Sequence, residues 1–434
     1  VRSRRQRQMC IRDSFDAGRC RSCALMGVPY ADQLARADAE VRGLLAAHTH
    51  ADTRWEAPFA SAESGFRNKA KLVVTGTAAE PRLGILDPGQ HPKHHDGTGY
   101  DLRDCGLYEP GMQTVSNAVA RCIARAGLTP YDVSARTGEL KNVIVTLSPD
   151  AECMVRFVLR SQTQLEALRA DVPTLRGELA AQGVPAVVVT ANLLPRHVAL
   201  PEGEEEIHLA GGQTLTMRVN GIGLRLRPQG FFQTNTAVTS ALYAAAAAWA
   251  DDAAADLPMD VHRVWDLYCG VGGFAFHLAG EDRQVWGQEV SVEAIAAARV
   301  TARELGLDDR VRFDSGDATQ ALSFGKPSRS GARWFGKASS SAAGPATAAA
   351  DGSAPPAEAP DLVVVNPPRR GIGAELTAAL EASAVPLVLY SSCNARTLAQ
   401  DLERMPSYRL ARARVFDMFP QTAHAETLVM LHRG

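Results

Sequence analysis

The carboxy-terminal half of the chain alternates strand-like and helix-like segments, and this alternation limits the possible folds more than any other feature. VWDLYCGVGGF (264–274) reads as a strand entering a glycine-rich turn. QVWGQEVS (284–291) reads as a second strand, followed by the periodic helix VEAIAAARVTAREL (292–305). VRFDSGD and DLVVVNPP supply two further strands, AELTAALEAS a helix, and PLVLYSSC another strand. Strands separated by helices pair side by side in one direction, so the pattern predicts an α/β domain with a parallel sheet covered on both faces. YRLARARVFDMF and ETLVMLHRG follow each other without a helix, which predicts an antiparallel edge. The stretch 324–360, rich in Ala, Ser, Gly and Pro, interrupts the pattern. It has too few large apolar groups to offset the entropy of ordering and is expected to be a disordered insertion in a loop.

At 434 residues the chain is too long for a single core. From 55 to 232 it carries KAKLVVTG, NVIVTLS, CMVRFVLRS, PAVVVTANLLP and similar segments with two helical patterns, which predicts a β-rich α+β domain. The division expected is a leader at 1–14, a cysteine-bearing segment and helix at 15–54, the β-rich domain at 55–232 and the α/β domain at 233–434. No apolar run approaches the roughly 18 residues needed to cross a membrane. The basic start has no apolar core behind it, so it is not a secretory signal. Eight cysteines without such a signal imply a reducing, cytoplasmic setting with thiols that are free, metal-bound or catalytic. Cys122 and Cys153 lie on apolar stripes and read as packing. A net charge of −2 gives no global nucleic-acid signature, so any RNA site must be local. Nothing implies a protein partner, and a monomer is expected.

DLYCGVGGF follows a strand and opens a helix, and its Gly270, Gly272 and Gly273 let the backbone approach a ligand closely. Such a loop suits a dinucleotide as well, but no G-x-G-x-x-G follows. Glu289, closing the second strand, is placed to hold ribose hydroxyls. The next strands end in FDSGD and VVVNPPRRG, each with a polar residue at the carboxyl edge, which favours an adenosyl ligand. Asp317 would face an adenine amine and Asn366 the reaction centre. The two prolines after Asn366 fix the chain, and Arg369 with Arg370 suits a phosphate.

Cys393 ends the run VPLVLYSSC, where open α/β sheets bind ligands. It is either a small core hydrophobe or a nucleophile. Glu426, in HAETLVML, precedes the last apolar strand and reaches the same edge. Methylating C5 of uracil needs this pair. C5 is a poor nucleophile until a thiolate adds at C6, and a base must then take the C5 proton so that the thiol can leave.

DLYCGVGGF, VVVNPPRRGIG, YSSCNARTLAQDL, FDMFPQTAHAETLVML and RPQGFFQTN together resemble the RNA uracil-5-methyltransferases, from about Phe15 to the end, with 324–360 as the main departure. The resemblance implies a Rossmann-like class I methyltransferase domain at the carboxy-terminal end, an RNA-recognition role for the β-rich domain, and S-adenosyl-L-methionine bound by Gln233, Tyr268, Glu289 and Asn366. It implies Cys393 as nucleophile and Glu426 as proton acceptor. FDAGRCRSC, with no small β-barrel before it, resembles the branch that methylates uracil 747 of 23S rRNA. The spacing of Cys20 and Cys23, with Cys105 further on, suits zinc or iron–sulfur. The family implies a [4Fe–4S] cluster with Cys10 as the remaining candidate ligand. MCIRDS (9–14) back-translates to the end of a common sequencing-library adaptor, so residues 1–14 are expected to be non-native.

GFRNKAKLVV reads as a strand start with Arg67, Lys69 and Lys71 on one face and Asn68 at a base edge; with Arg156 and Arg160 this is either a solvated face or a basic wall, and the resemblance implies a wall that meets RNA. The target uracil must leave its stack to reach Cys393, so an unpaired rRNA loop is the expected partner. The rival readings are a tRNA uracil methyltransferase and a non-catalytic iron–sulfur RNA-binding protein.

Overall fold

The computed structural model describes residues 13–91, 94–256, 259–322, 356 and 358–434. The expected leader up to residue 12, with Cys10, and most of the 324–360 insertion lie outside the described residues.

Two sheets organise the chain. In the carboxy-terminal half, Arg263–Leu267 pairs in parallel with Gln284–Glu289, which pairs with Val311–Ser315. The chain then crosses to the other side of Arg263–Leu267, where Leu362–Val365 and Leu387–Ser392 continue the parallel set. Strands Leu362–Val365 and Leu387–Ser392 are buried along their whole length. That burial on both faces is why they read as unbroken apolar runs rather than alternating ones. The strand order reverses between Arg263–Leu267 and Leu362–Val365, and the crevice at such a switch point, outside the carboxyl ends of the strands, is where open α/β sheets take ligands.

The expected antiparallel pair is present but is not an edge. Glu426–Arg433 slots between Leu387–Ser392 and Tyr408–Phe416, antiparallel to both. The outer side of Tyr408–Phe416 is closed by Arg54–Trp55, running parallel to it.

The second sheet has seven strands, from Gly99–Asp101 at one side through Lys69–Gly76 and Leu140–Leu147 to Glu205–Gly211 at the other. Its one parallel step, Cys153–Leu159 to Ala186–Leu193, is the step that carries the crossover helix Leu165–Ala181. That helix and Met112–Ala126 bury their apolar stripes on the sheet around Val143, Val145, Val155 and Phe157. Cys122 and Cys153 are fully buried there, as packing residues should be.

Packing moves two expected boundaries. The hairpin Leu215–Val219 and Ile222–Leu226 buries Leu215, Met217 and Leu224 with Val238, Leu242 and Trp249 of the helix Thr236–Asp256, in the core of the carboxy-terminal half. Arg225 N–H donates to Thr301 Oγ1 at 3.1 Å, tying the hairpin to the same body. Likewise Val41 and Leu45 pack with Trp265, Leu267 and Val363. A period-two pattern says that a strand has an inner face but not which core the face meets. Among the described residues no helix is long and apolar enough to cross a membrane.

Candidate active site

The glycine loop turns the chain away from the sheet at the switch point. Tyr268 (φ +69), Gly270 (φ +54) and Gly272 (φ +87) all adopt left-handed backbone. The Tyr268 and Cys269 N–H groups both donate to the Gln288 carbonyl at 3.0 Å, which presses the turn against the neighbouring strand. A Cβ on Gly273 would stand 2.2 Å from the Tyr243 hydroxyl, whereas one on Gly270 would meet nothing within 4 Å. Gly273 is therefore required for packing, and Gly270 faces open space where a ligand can approach.

Glu289 closes the adjacent strand. Its carboxylate accepts from the Gly270 N–H at 3.3 Å and the Ser291 N–H at 3.0 Å, which fixes it at the loop's rim. Asp317 is exposed further along the same edge and accepts from Thr319 N–H at 3.0 Å. Asn366 follows directly on the strand Leu362–Val365 and is half-buried. Gln233 is buried, with its carbonyl accepting from Asn68 Nδ2 at 3.0 Å. The sequence reading missed Asp266. It is fully buried beneath the loop, accepts from Ala275 N–H at 3.0 Å, and is pushed up to about 8 by burial, with the Glu289 charge adding to the effect. An acid at the last turn of a strand before a glycine loop was the available signal.

Cys393 and Glu426 are neighbours through sheet register. Ser392 pairs with Thr427 in the antiparallel ladder, so the next step sets Cys393 opposite Glu426. Side chains alternate along a strand, so Ser391 shares a face with Cys393. Ser391 Oγ donates to Glu426 Oε1 at 2.5 Å. Glu426 is buried and its carboxyl is pushed up to about 7 by that burial, with the Ser391 bond opposing. Cys393 is half-buried, and its thiol is raised by burial and by the Glu426 charge, while the Arg369 guanidinium lowers it through charge and a hydrogen bond. Arg369 thus lies against the nucleophile candidate. Its loop is held by the helix that follows Cys393: Asn394 Nδ2 and Thr397 Oγ1 donate to the Arg369 carbonyl at 3.1 and 3.2 Å. Asp401 accepts from Ile372 N–H at 2.9 Å and Tyr390 Oη at 2.7 Å. A cavity of about 310 Å³ opens at Cys393, walled by Arg369, Arg396, His424 and, from the helix Tyr30–Leu44, Glu40 and Val41.

Cys20, Cys23 and Cys105 line a second cavity, of about 230 Å³, together with Arg67, Lys69 and Lys71. Burial pushes the Cys23 thiol up to about 12, with Cys105 and Cys20 adding to the effect, and the Cys105 thiol up to about 11, with the Leu107 N–H opposing and Cys20 adding. Among the described residues no group of three or more His, Cys, Asp or Glu is arranged to hold a metal ion.

The expected basic wall is not formed. Arg156 is 1% exposed, donates to Glu206 at 2.8 and 2.6 Å, and pairs with Glu202. Arg160 pairs with Glu139 at 2.9 Å. Asn68 is buried, with Nδ2 donating to the Gln233 carbonyl and, at 2.9 Å, to Thr236 Oγ1, so it holds the Gln233 loop and cannot read a base edge. Lys69 is lowered to about 8 by burial and then by Lys71. Arg67 and Lys69 thus face the thiols rather than a separate surface. Sequence alternation could not show this, because the acidic partners of Arg156 lie about 50 residues away.

Residues 359–434 match the family model described as tRNA (Uracil-5-)-methyltransferase, and residues 260–327 match a methyltransferase domain. The 23S rRNA (uracil(747)-C(5))-methyltransferase RlmC of Escherichia coli O157:H7 (strain EC4115 / EHEC) is 44% identical over 419 residues, covering 96% of this chain and 98% of that one. The enzyme of the same name from Escherichia coli O17:K52:H18 (strain UMN026 / ExPEC) matches at the same identity and coverage. Among solved structures, the Pyrococcus abyssi tRNA (uracil-54, C5)-methyltransferase in complex with S-adenosyl-L-homocysteine superposes with a TM-score of 0.68 at 19% identity, over 94% of this chain and 85% of that one. That likeness shows a shared Rossmann-like methyltransferase fold. An identity of 44% over nearly the whole of both chains shows more: the protein belongs to the RNA uracil-C5 methyltransferase family.

Proposed function

We propose that the protein methylates C5 of uracil in 23S rRNA, at the position that its relatives number 747, through a transient Cys393–C6 bond. The placement of Cys393 opposite Glu426, with Arg369 on the sulfur, carries this reading. S-Adenosyl-L-methionine supplies an electrophilic methyl group. Glu289, held by two backbone N–H groups, is suited to ribose hydroxyls, and the open face of Gly270 to the close approach of the donor. Gln233, Tyr268, Gly273, Asp317 and Asn366 are the further residues that would hold the donor. Arg369 favours the thiolate that attacks C6. Glu426, near neutrality, is poised to accept the C5 proton, since a general base works best with its pKa close to the working pH. An unpaired rRNA loop is the natural substrate, because a stacked base cannot reach Cys393. Action on rRNA accords with a cytoplasmic protein.

We infer that Cys20, Cys23 and Cys105, which share one cavity, would supply three of the four thiolates of a [4Fe–4S] cluster. Arg67 and Lys69 are placed to offset the negative charge of such a group. It would tie the amino-terminal segment to the β-rich domain.

The test is methyl transfer to a 23S rRNA hairpin and to a tRNA transcript. Cys393→Ala should abolish transfer and adduct. Glu426→Gln should leave protein covalently attached to RNA on a denaturing gel. Transfer by Cys393→Ala would overturn the mechanism, and preference for the tRNA transcript would overturn the substrate.

A further inference from the structure

The loop that joins Tyr408–Phe416 to Glu426–Arg433 delivers Glu426 to the site, and the amino-terminal segment fastens it from outside. Gln33, on the helix Tyr30–Leu44, is buried. Its Nε2 donates to Gln421 Oε1 at 3.0 Å and to the Val28 carbonyl at 2.9 Å. Its Oε1 accepts from the Gln421 backbone N–H at 3.1 Å. The Gln421 carbonyl accepts from Leu25 N–H at 3.0 Å. At the loop's start, Tyr30 Oη donates to Asp417 Oδ2 at 2.7 Å. Gln421 has φ +69, a left-handed conformation that a residue with a Cβ keeps only where its surroundings impose it. Residues 25–33 thus engage the N–H, the carbonyl and the side chain of one strained residue, five positions before Glu426.

We propose that Gln33 is a positioning residue for Glu426. Its clasp holds Gln421 in the left-handed state and so sets how the loop presents the Glu426 carboxylate and the residue 423–425 wall of the Cys393 cavity. The proposal rests on the reading of Cys393 and Glu426 as nucleophile and base. In that reaction the Cys393 sulfur bonds to C6, and C5 takes the methyl group from the sulfonium. The C5 proton then passes to Glu426, and the electron pair it leaves re-forms the C5–C6 double bond as the sulfur departs. Loosening the clasp slows this last step, so the enzyme stays attached to methylated uracil.

Two variants test it. Gln33→Met keeps the volume and removes the hydrogen bonds. Gln421→Ala removes the side-chain half of the clasp and leaves a residue that resists the left-handed backbone, and it decides the matter if Gln33→Met does not fold. Each should lower kcat about tenfold, equivalent to about 1.4 kcal/mol of barrier. KM for RNA and for the methyl donor should hold, and a covalent RNA–protein species should accumulate during turnover. The double variant should be no worse than the worse single one, because both remove the same contact. A folded variant with wild-type kcat, or with reduced kcat and no accumulated adduct, overturns the proposal. Wild-type protein on 5-fluorouracil-substituted RNA distinguishes the two levels. Fluorine at C5 cannot leave as a proton, so the adduct must persist, and its absence would sink the nucleophile reading rather than the clasp.

Discussion

Replacing Ser391 with alanine should move the acidic limb of the pH–rate profile. Ser391 Oγ donates to Glu426 Oε1 at 2.5 Å inside the sheet, and Glu426 is held near 7 by burial against this bond. A hydrogen bond to an ionised group contributes roughly 1.5–3 kcal/mol. About 1.36 kcal/mol corresponds to one pH unit in an ionisation equilibrium. Ser391→Ala should therefore carry Glu426 from about 7 to roughly 8–9. The base must be ionised to accept the C5 proton, so kcat rises with pH through its folded value. At pH 7 the ionised fraction falls from about one half to between roughly one tenth and one hundredth, a loss of about 5–50-fold in kcat that should vanish above roughly pH 9. The assay is transfer of labelled methyl groups to the rRNA hairpin from pH 6 to about 10. An acidic limb that stays where it is in the wild type, with the protein folded, would refute the assignment of Glu426 as base or the role of Ser391 in holding its charge. The same raised value gives a stability effect of opposite sense. The folded state binds this proton more tightly than the unfolded chain, so folding stability falls as pH rises from about 4.5 to about 7.

Glu206→Ala should leave the buried Arg156 guanidinium with Glu202 as its remaining carboxylate and cost about 1–3 kcal/mol, read by urea unfolding. Gly371→Ala puts a Cβ 2.3 Å from Asp401 Oδ2 at φ +78, displacing the Arg369 loop from Cys393. Alkylation of the Cys393 thiol by iodoacetamide at neutral pH should slow, while the Cys393→Ala background shows no such site. Gly273→Ala, driven against the Tyr243 hydroxyl, should weaken calorimetric binding of S-adenosyl-L-homocysteine.

The parallel sheet, and the position of Cys393 and Glu426 at the ends of strands, were legible in the sequence because each rests on local pattern. Leu387–Ser392 is an apolar run ending at Cys393, and Glu426 stands at the start of another. The glycine loop and Glu289 are legible for the same reason. What the sequence hid was pairing at a distance. Arg156 looked free because Glu202 and Glu206 lie beyond the next helix and the next strand. Asn68 looked like a reader of bases because nothing near it in the chain announces the Gln233 carbonyl. The hairpin 215–226 alternates correctly, yet alternation cannot tell which of two cores receives its inner face. Gln33 sits in a helix whose polar residues look solvated, and nothing near it in the chain announces the folded-back Gln421 loop that it clasps.

The parallel pairing of Arg54–Trp55 with Tyr408–Phe416 has a consequence for biosynthesis. The neighbouring Thr53–Leu410 contact spans 357 residues. At roughly 5–20 residues per second, the ribosome needs roughly 20–70 s between the two. Until Leu410 emerges, Arg54–Trp55 has no strand to pair with, although Trp265, Leu267 and Val363 come earlier and offer Val41 and Leu45 a surface. Cys105 and Arg67, which share a cavity with Cys20 and Cys23, emerge much earlier, so the thiol site comes together before the catalytic half closes over the amino-terminal segment.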